Sequence, residues 1–168
     1  MKRFILAALL LAGCTGGGGG PAATPTAAAG GPVAKGSGTI MAGKSVDALT
    51  LGESKADVEK AMGGLGEQDV NEFNKAQSYA IYKDKGLELV FDKDKLGMIV
   101  CHNDEDFTPY TGATAEGLWV GSSKDDVKKA LGPPKEDPGQ ALDYAAQGIW
   151  FTFSPEGKVE TIRISQPR

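Results

Sequence analysis

Two segments of the chain share one pattern of apolar and polar positions. Residues 52–63 read GESKADVEKAMG and residues 121–132 read GSSKDDVKKALG, and they are identical at eight of twelve positions. In both segments three apolar residues follow the i, i+3, i+4 spacing of one helix face. These residues are Val58, Ala61 and Met62 in the first copy and Val127, Ala130 and Leu131 in the second. The pattern predicts two short helices and an internal duplication.

The residues around each segment predict where the helices begin and end. A serine precedes each helix and an aspartate follows the serine three residues later, as in a capping box. A glycine closes each segment, where the backbone commonly turns left-handed. The predicted caps are Ser54 with Asp57 and Ser123 with Asp126, and the predicted terminal glycines are Gly63 and Gly132.

Alternating apolar positions after each helix predict β-strands. Leu87, Leu89 and Phe91 fall on one side of an extended strand, and we expect the helix to pack on that side. Short polar segments between the runs are typical of turns. The predicted strands are residues 78–82, 87–91 and 96–101 in the first copy and residues 142–144, 149–153 and 158–164 in the second.

These elements together predict an α+β fold of two tandem repeats. Each repeat is a short helix followed by a three-stranded antiparallel meander, over residues 39–106 and residues 107–168. A unit of about 60 residues buries little apolar surface, so we expect the two sheets to pair edge to edge or to pack closely. Residues 67–77 are polar and make the first copy seven residues longer than the second, which predicts a surface loop.

The first residues of the chain have the pattern of a targeting segment. Two basic residues precede an apolar run over residues 4–12, which is too short to span a bilayer, and residues 11–14 read LAGC. This arrangement resembles a bacterial lipoprotein signal peptide with its lipobox. The resemblance implies cleavage of residues 1–13 and lipid modification of Cys14, whose acyl chains would anchor the protein to a membrane. The alternative is an ordinary secretory signal in which the cysteine is a coincidence.

Small residues dominate the stretch after Cys14. Residues 16–20 are an unbroken glycine run, and glycine, alanine, proline, serine and threonine prevail up to residue 38. Such a stretch has too little apolar surface to offset the entropy lost on ordering it. We therefore expect residues 14–38 to be a lipidated cysteine followed by a disordered tether.

The body of the chain resembles a known repeat as well. The motif GxSKxDVxKA(L/M)G, followed in the second copy by Pro133, Tyr144 and the pattern of residues 148–162, is similar to the helix-then-meander repeat of two families. These are the SmpA/OmlA outer-membrane lipoproteins and the beta-lactamase inhibitory protein. The resemblance implies a non-catalytic module that binds another protein. The first copy departs from the pattern, because Gly64 stands where the second copy has Pro133.

The net charge of the chain indicates which classes of partner it does not attract. The 168 residues carry a formal charge of −4, and removal of Lys2 and Arg3 with the signal would take it to −6. An acidic body is not attracted to nucleic acid or to anionic lipid, so we predict no nucleic-acid partner and only the lipid on Cys14 as a membrane anchor. Thr15 is compatible with sorting to the outer membrane, facing the periplasm, in a Gram-negative host.

The sequence assembles no catalytic or metal site, and we predict neither enzymatic activity nor a cofactor. Cys101 is the only cysteine besides Cys14, and its strand position predicts a buried thiol rather than a reactive or intermolecular one. The only histidine, His102, begins an acidic run to residue 106 that contains possible metal ligands. Adjacent residues of an extended segment do not converge on one ion, so we expect this run to be a solvated linker.

The two tryptophans are the candidate binding residues. Trp119 aligns with Thr50 and Trp150 with Glu88, so both stand where the other copy has a polar side chain. Exposed tryptophans are frequent centres of binding energy, although the rings could instead cover the seam between the copies. The predicted function is a lipid-anchored envelope protein that binds another envelope protein, as an assembly accessory or an inhibitor. The alternative is a carrier of a small molecule or a cell-wall ligand.

Overall fold

The computed structural model describes residues 38–168, so the predictions for the signal peptide, for Cys14 and for all but the last residue of the tether lie outside it. The helices are α1 (Lys55–Met62) and α2 (Lys124–Leu131). The strands are β1 (Thr39–Met41), β2 (Ser45–Val46), β3 (Leu49–Thr50), β4 (Glu67–Val70), β5 (Gln77–Tyr82), β6 (Leu87–Asp92), β7 (Lys95–His102), β8 (Ala113–Thr114), β9 (Ala141–Tyr144), β10 (Ile149–Phe153) and β11 (Val159–Ser165). Single turns of 3-10 helix, Lys83–Lys85 and Ala145–Gln147, precede β6 and β10.

The predicted fold class, α+β with two tandem helix-and-meander repeats, is wrong. The protein is mostly β and sandwich-like, because the described residues form eleven strands in two sheets and only two helices of eight residues each. Of the two arrangements expected for the sheets, edge-to-edge pairing is the one that the structure shows. Strands β7 and β11 pair along their length, from His102 with Thr161 to Met98 with Ser165. One larger sheet therefore runs through both halves.

The two sheets differ in size and in origin. The larger sheet has seven strands in the order β4-β5-β6-β7-β11-β10-β9, and neighbouring strands are antiparallel. The smaller sheet has the order β3-β2-β1-β8, in which β1 and β8 are parallel. Its strands come from the segments that precede α1 and α2, so these two segments share one layer.

Several strands have no alternation of apolar and polar residues by which they could be predicted from the sequence. Residues 67–77 were predicted to form a loop, yet they contain β4, whose four residues are all exposed and show no apolar alternation. The strands of the smaller sheet are only two or three residues long, too short to reveal a period of two. Both kinds of strand are held by backbone pairing with a neighbour rather than by their own pattern.

One apolar core lies between the larger sheet and the layer of the smaller sheet and helices. The smaller sheet contributes Ile40, Val46 and Leu49, and the helices contribute Val58 and Val127. The larger sheet contributes alternate positions of its strands, among them Leu87, Leu89, Phe91, Ile99, Leu142, Ile149, Phe151, Ile162 and Ile164. Burial of each such side chain stabilises the fold by about 1.5–3 kcal/mol, so the alternation decides which face of the sheet is buried.

The predicted N-caps are confirmed. The Asp57 N–H donates a hydrogen bond to Ser54 Oγ over 3.2 Å, and the Asp126 N–H donates to Ser123 Oγ over 3.1 Å. At α2 the capping box is complete, because the Ser123 N–H donates to Asp126 Oδ2 over 3.3 Å. These bonds satisfy N–H groups that have no partner within the helix.

The two helices end differently. Gly63 follows α1 in the left-handed conformation, with φ 80° and ψ 19°, as predicted. Gly132 follows α2 with φ 81° and ψ −162°, so the prediction of a left-handed residue is wrong there. The next residue is Pro133, and the residue before a proline favours an extended ψ.

Gly148 is a point of close backbone contact. Its φ is +71°, and a Cβ added there would lie 2.5 Å from Gly43 Cα. The Gly43 N–H also donates a hydrogen bond to the Gly148 carbonyl over 3.2 Å. The turn between β1 and β2 is thus held against the residue that precedes β10, which joins the smaller sheet to the larger one.

Candidate functional site

Within residues 38–168, the larger sheet has one face that no helix and no second sheet covers, which we call the outer face. Its side chains alternate with the buried ones, and the core lies on the opposite side. The apolar members are half-buried except Val100, which is buried, so they form a surface partly in contact with water. Its members include Tyr79, Ile81, Glu88, Val90, Met98, Val100, His102, Asp143, Trp150, Thr152, Thr161 and Arg163.

Trp150 lies in a row of cross-strand pairs on the outer face. Glu88 pairs with Val100 across β6 and β7. Val100 pairs with Arg163 across β7 and β11, and Arg163 pairs with Trp150 across β11 and β10. With strands about 4.8 Å apart, these four side chains form a strip about 15 Å long, which places an aromatic ring beside a cation. The row continues from Trp150 to Asp143 on β9.

Trp119 lies in a different part of the molecule. It belongs to the loop between β8 and α2 and is flanked by Leu118 and Val120, which are both buried in the core. Its ring packs against Gly121, where an added Cβ would lie 2.6 Å from the ring atom Cζ3. Trp119 is half-buried on the layer that contains the helices. The two candidate tryptophans therefore do not form one patch.

His102 is buried, so the prediction that its segment is a solvated linker is wrong at this residue. The imidazole stacks on Phe107, with ring centroids 3.9 Å apart. Nδ1 lies 2.7 Å from Asp104 Oδ2, and Nε2 lies 3.5 Å from Glu88 Oε2, within ion-pair distance but without a hydrogen bond. Phe107 is the first apolar residue after the histidine, and it is the one sequence signal that the ring is covered.

The surroundings of His102 favour its protonated form. Burial by itself lowers the pKa of the imidazole, but Glu88 and Asp104 together outweigh burial and raise the pKa above its ordinary value. The two carboxylates approach opposite ring nitrogens, which does not suit a shared metal ion. In residues 38–168, no three His, Cys, Asp or Glu side chains are grouped as metal ligands.

Cys101 is buried in the core, as predicted. Burial raises the pKa of its thiol well above the ordinary value, and the charge of Asp47 acts in the same direction. A thiol that stays protonated is a poor nucleophile. Nearby, the Tyr110 hydroxyl donates a hydrogen bond to Asp47 Oδ2 over 2.9 Å. Cys101 therefore serves packing rather than chemistry.

A cleft of about 390 Å³ lies between α1, the turn after β5 and the segment before β8. Leu49, Met62 and Leu87 contribute apolar surface to it, and Asp84 and Lys85 contribute charge. The cleft could not be predicted from the sequence, because its walls come from segments far apart in the chain.

Exposed apolar residues at one edge of the larger sheet were also not predicted. Leu65, Val70 and Phe73 are exposed by 59%, 63% and 100%, and they lie in β4 or within a few residues of it. Next to them is a groove of about 490 Å³ between β4 and α1, to which Lys55 and Glu59 contribute. Exposed apolar side chains grouped in this way are typical of interaction sites.

Comparison of the chain with protein-family models, with curated proteins and with solved structures found no match. The resemblances drawn from the lipobox and from the helix motif therefore remain predictions. In the part of the chain that the structure describes, neither helix is long and apolar enough to cross a membrane.

Proposed function

We propose that this chain is a lipid-anchored protein of the bacterial cell envelope whose β-structured body binds another envelope protein through the outer face. The lipobox that ends at Cys14 supports the anchor. A flexible tether over residues 15–38 would span roughly 25–30 Å on average, which places the partner close to the membrane. The observation that carries the binding role is the strip in which Arg163 stands beside Trp150.

The outer face suits a protein partner better than a small molecule. Small ligands bind in concave sites that enclose most of their surface, whereas this strip crosses four strands of an open sheet face. Tryptophan and arginine are also enriched among the residues that dominate binding energy. The partner that fits has an apolar patch and an acidic group for Arg163, because opposite charges fix the register of an interface.

Affinity capture tests the proposed surface. The full chain, solubilised in detergent, serves as bait in envelope extracts, and the wild type is compared with Trp150→Glu and with Trp119→Thr. Trp119→Thr is the matched control, since it removes an indole away from the outer face. We expect one stoichiometric partner with the wild type and the control, and at least about tenfold less with Trp150→Glu. Equal recovery with Trp150→Glu would show that the outer face is not the binding surface.

A separate experiment tests the anchor. Metabolic labelling with a fatty-acid probe should mark the wild type and leave Cys14→Ser unlabelled, and the variant should be released from the membrane fraction. A wild-type protein that takes up no label would contradict the lipid anchor but would leave the binding surface unaffected.

The cleft beside α1 favours a second function, the carriage of a small molecule or a cell-wall fragment. Its volume of about 390 Å³ lies within the range of ligand sites. Native mass spectrometry of the protein purified from its host should then show a bound mass, and Met62→Trp, which fills the cleft, should remove it. Absence of any bound mass in the wild type argues for the protein-binding role.

A further inference from the structure

The two edges of the larger sheet differ in whether another segment of the described chain covers them. Next to β9, the Lys135 N–H donates a hydrogen bond to the Asp143 carbonyl over 2.8 Å, and the Asp143 N–H donates to the Glu136 carbonyl over 3.1 Å. A neighbouring segment therefore covers that edge. At the other edge, β5 is the only strand of residues 38–168 that pairs with β4. An uncovered edge strand is a template for pairing with another chain.

The register shows which backbone groups of β4 are free. The Asn71 N–H donates to the Gln77 carbonyl over 3.2 Å, and hydrogen-bonded pairs recur at every second residue of an antiparallel ladder. Asp69 therefore bonds to β5. The N–H and C=O groups of Gln68 and Val70 point away from β5, toward the open edge.

Two side chains of this segment occupy part of the open edge. The Val70 N–H donates to Asp69 Oδ1 over 2.7 Å, and Gln68 Nε2 donates to the Gly66 carbonyl over 3.2 Å. Both bonds are local and exposed, so an incoming strand can replace them at a small cost. Among the described residues, no acceptor binds the Gln68 N–H.

The side chains around β4 define the chemistry of a fitting strand. Leu65 and Val70 line the groove between β4 and α1, which offers contact to an apolar side chain. Glu59, Asp69 and Glu72 form no ion pair with any residue of the described chain. These carboxylates favour basic side chains on whatever lies along the edge.

Two lysines near this edge have partners of their own. Lys83 pairs with Glu67 over 3.3 Å, and Lys55 lies over the ring of Phe91, 5.6 Å from its centroid. Neither of these two cations forms an ion pair with Glu59, Asp69 or Glu72.

We propose that β4 receives an extended segment of a partner protein, in which basic and apolar residues alternate, as an eighth strand of the larger sheet. A second copy of this chain fits less well in two antiparallel registers. When Gln68 lies opposite Gln68 of the other copy, Asp69 faces Glu67, and when Gln68 lies opposite Val70, Asp69 faces Asp69. Like charges directly opposite each other are destabilising. The inference goes beyond the proposed function and does not depend on the outer face.

Synthetic peptides test this edge directly. The probes are a short peptide of alternating lysine and valine and its counterpart with glutamate in place of lysine, each titrated into the full chain in detergent. NMR follows hydrogen exchange at the Gln68 amide. The lysine peptide should slow that exchange at least about tenfold at saturation, and the glutamate peptide should bind at least about tenfold more weakly.

Variants at one position separate backbone pairing from simple charge attraction. Gln68→Pro removes the outward N–H without removing a bond to β5, so it should weaken binding of the lysine peptide at least about tenfold. Gln68→Ala keeps the N–H and should bind as the wild type does. Trp150→Glu should bind the lysine peptide as the wild type does. The result at β4 can therefore fail without the outer-face proposal failing, and the reverse. If Gln68→Pro does not fold, Val70→Pro takes its place with the same expected loss, because the Val70 N–H also faces the open edge.

Several results would overturn the proposal. One is equal affinity for the two peptides, and another is retention of lysine-peptide binding by Gln68→Pro. A third is no binding of the lysine peptide up to about 1 mM. A dimer seen by sedimentation in the wild type and abolished in Gln68→Pro would assign the edge to a second copy instead.

Discussion

His102 and Phe107 lie face to face, with ring centroids 3.9 Å apart and ring planes 5° from parallel. The stack covers one side of an imidazole whose two nitrogens point at the carboxylates of Asp104 and Glu88. The only histidine of the chain is thus held between an aromatic ring and two negative charges at the end of β7. This arrangement couples the stability of the fold to pH.

The raised pKa of His102 predicts that its contribution to stability falls as the pH rises. The contribution is complete below the ordinary value of 6.5 and is lost as the pH passes through the higher folded pKa. Urea denaturation of the wild type and of His102→Gln should therefore show a difference in free energy of unfolding that shrinks over this interval. Asp104→Asn keeps the ring and should reduce the effect. A difference that grows with pH would contradict the prediction.

Neighbouring residues of β10 should respond very differently to substitution. Phe151 is fully buried, and Phe151→Ala should lower the free energy of unfolding by about 3–5 kcal/mol. Trp150 faces the other side and loses mainly cross-strand contacts, so Trp150→Glu should cost about 1 kcal/mol. Thermal or denaturant unfolding of the two variants checks the assignment of faces. A loss of about 3 kcal/mol or more with Trp150→Glu would mean that the indole is packed.

Gly148→Ala should be more destabilising than the same change at another glycine of similar backbone conformation. Gly157 has φ +73° and open space around it, so Gly157→Ala carries only the left-handed penalty of about 1–2 kcal/mol. At Gly148 the added methyl also meets Gly43 and the Ser165 carbonyl, and we expect a loss above about 3 kcal/mol. Equal losses in denaturant unfolding would show that the contact with Gly43 is not maintained.

The N-cap bonds predict a loss of stability when either serine is replaced. Ser123→Ala and Ser54→Ala should each lower the free energy of unfolding by about 1 kcal/mol, because each removes the oxygen that accepts from the N3 N–H. The hydrogen bond from Ser123 also lowers the pKa of Asp126, so that pKa should rise toward its ordinary value in Ser123→Ala. An NMR titration of the Asp126 carboxyl measures the shift, and an unchanged pKa would contradict the capping role.

The alternation of apolar residues predicted the buried strands but not the fold class. Alternation placed Leu87, Leu89 and Phe91 toward the core and Trp150 away from it, because each choice depends only on neighbouring positions. Edge-to-edge pairing of the two sheets was one of the two arrangements expected, and it occurs between β7 and β11. No local pattern encodes which strands meet or in which register.

For the candidate sites as well, some features could be predicted from the sequence and others could not. The place of Trp150 in β10 could be predicted, whereas its alignment with Arg163 depends on a register that only the folded chain reveals. His102 stands in an acidic run that is typical of solvated linkers, and its burial results from Phe107 folding back on it. The open edge at β4 was missed because a strand of exposed residues has the same composition as a loop.

The pairing of β7 with β11 also has a consequence for folding kinetics. The paired residues are roughly sixty positions apart in the chain, so the centre of the larger sheet closes only after a long loop has formed, on a timescale of about milliseconds to seconds. Until then the matching sides of both strands are open to other molecules. Refolding at high protein concentration should therefore produce dimers in which β7 of one chain pairs with β11 of another.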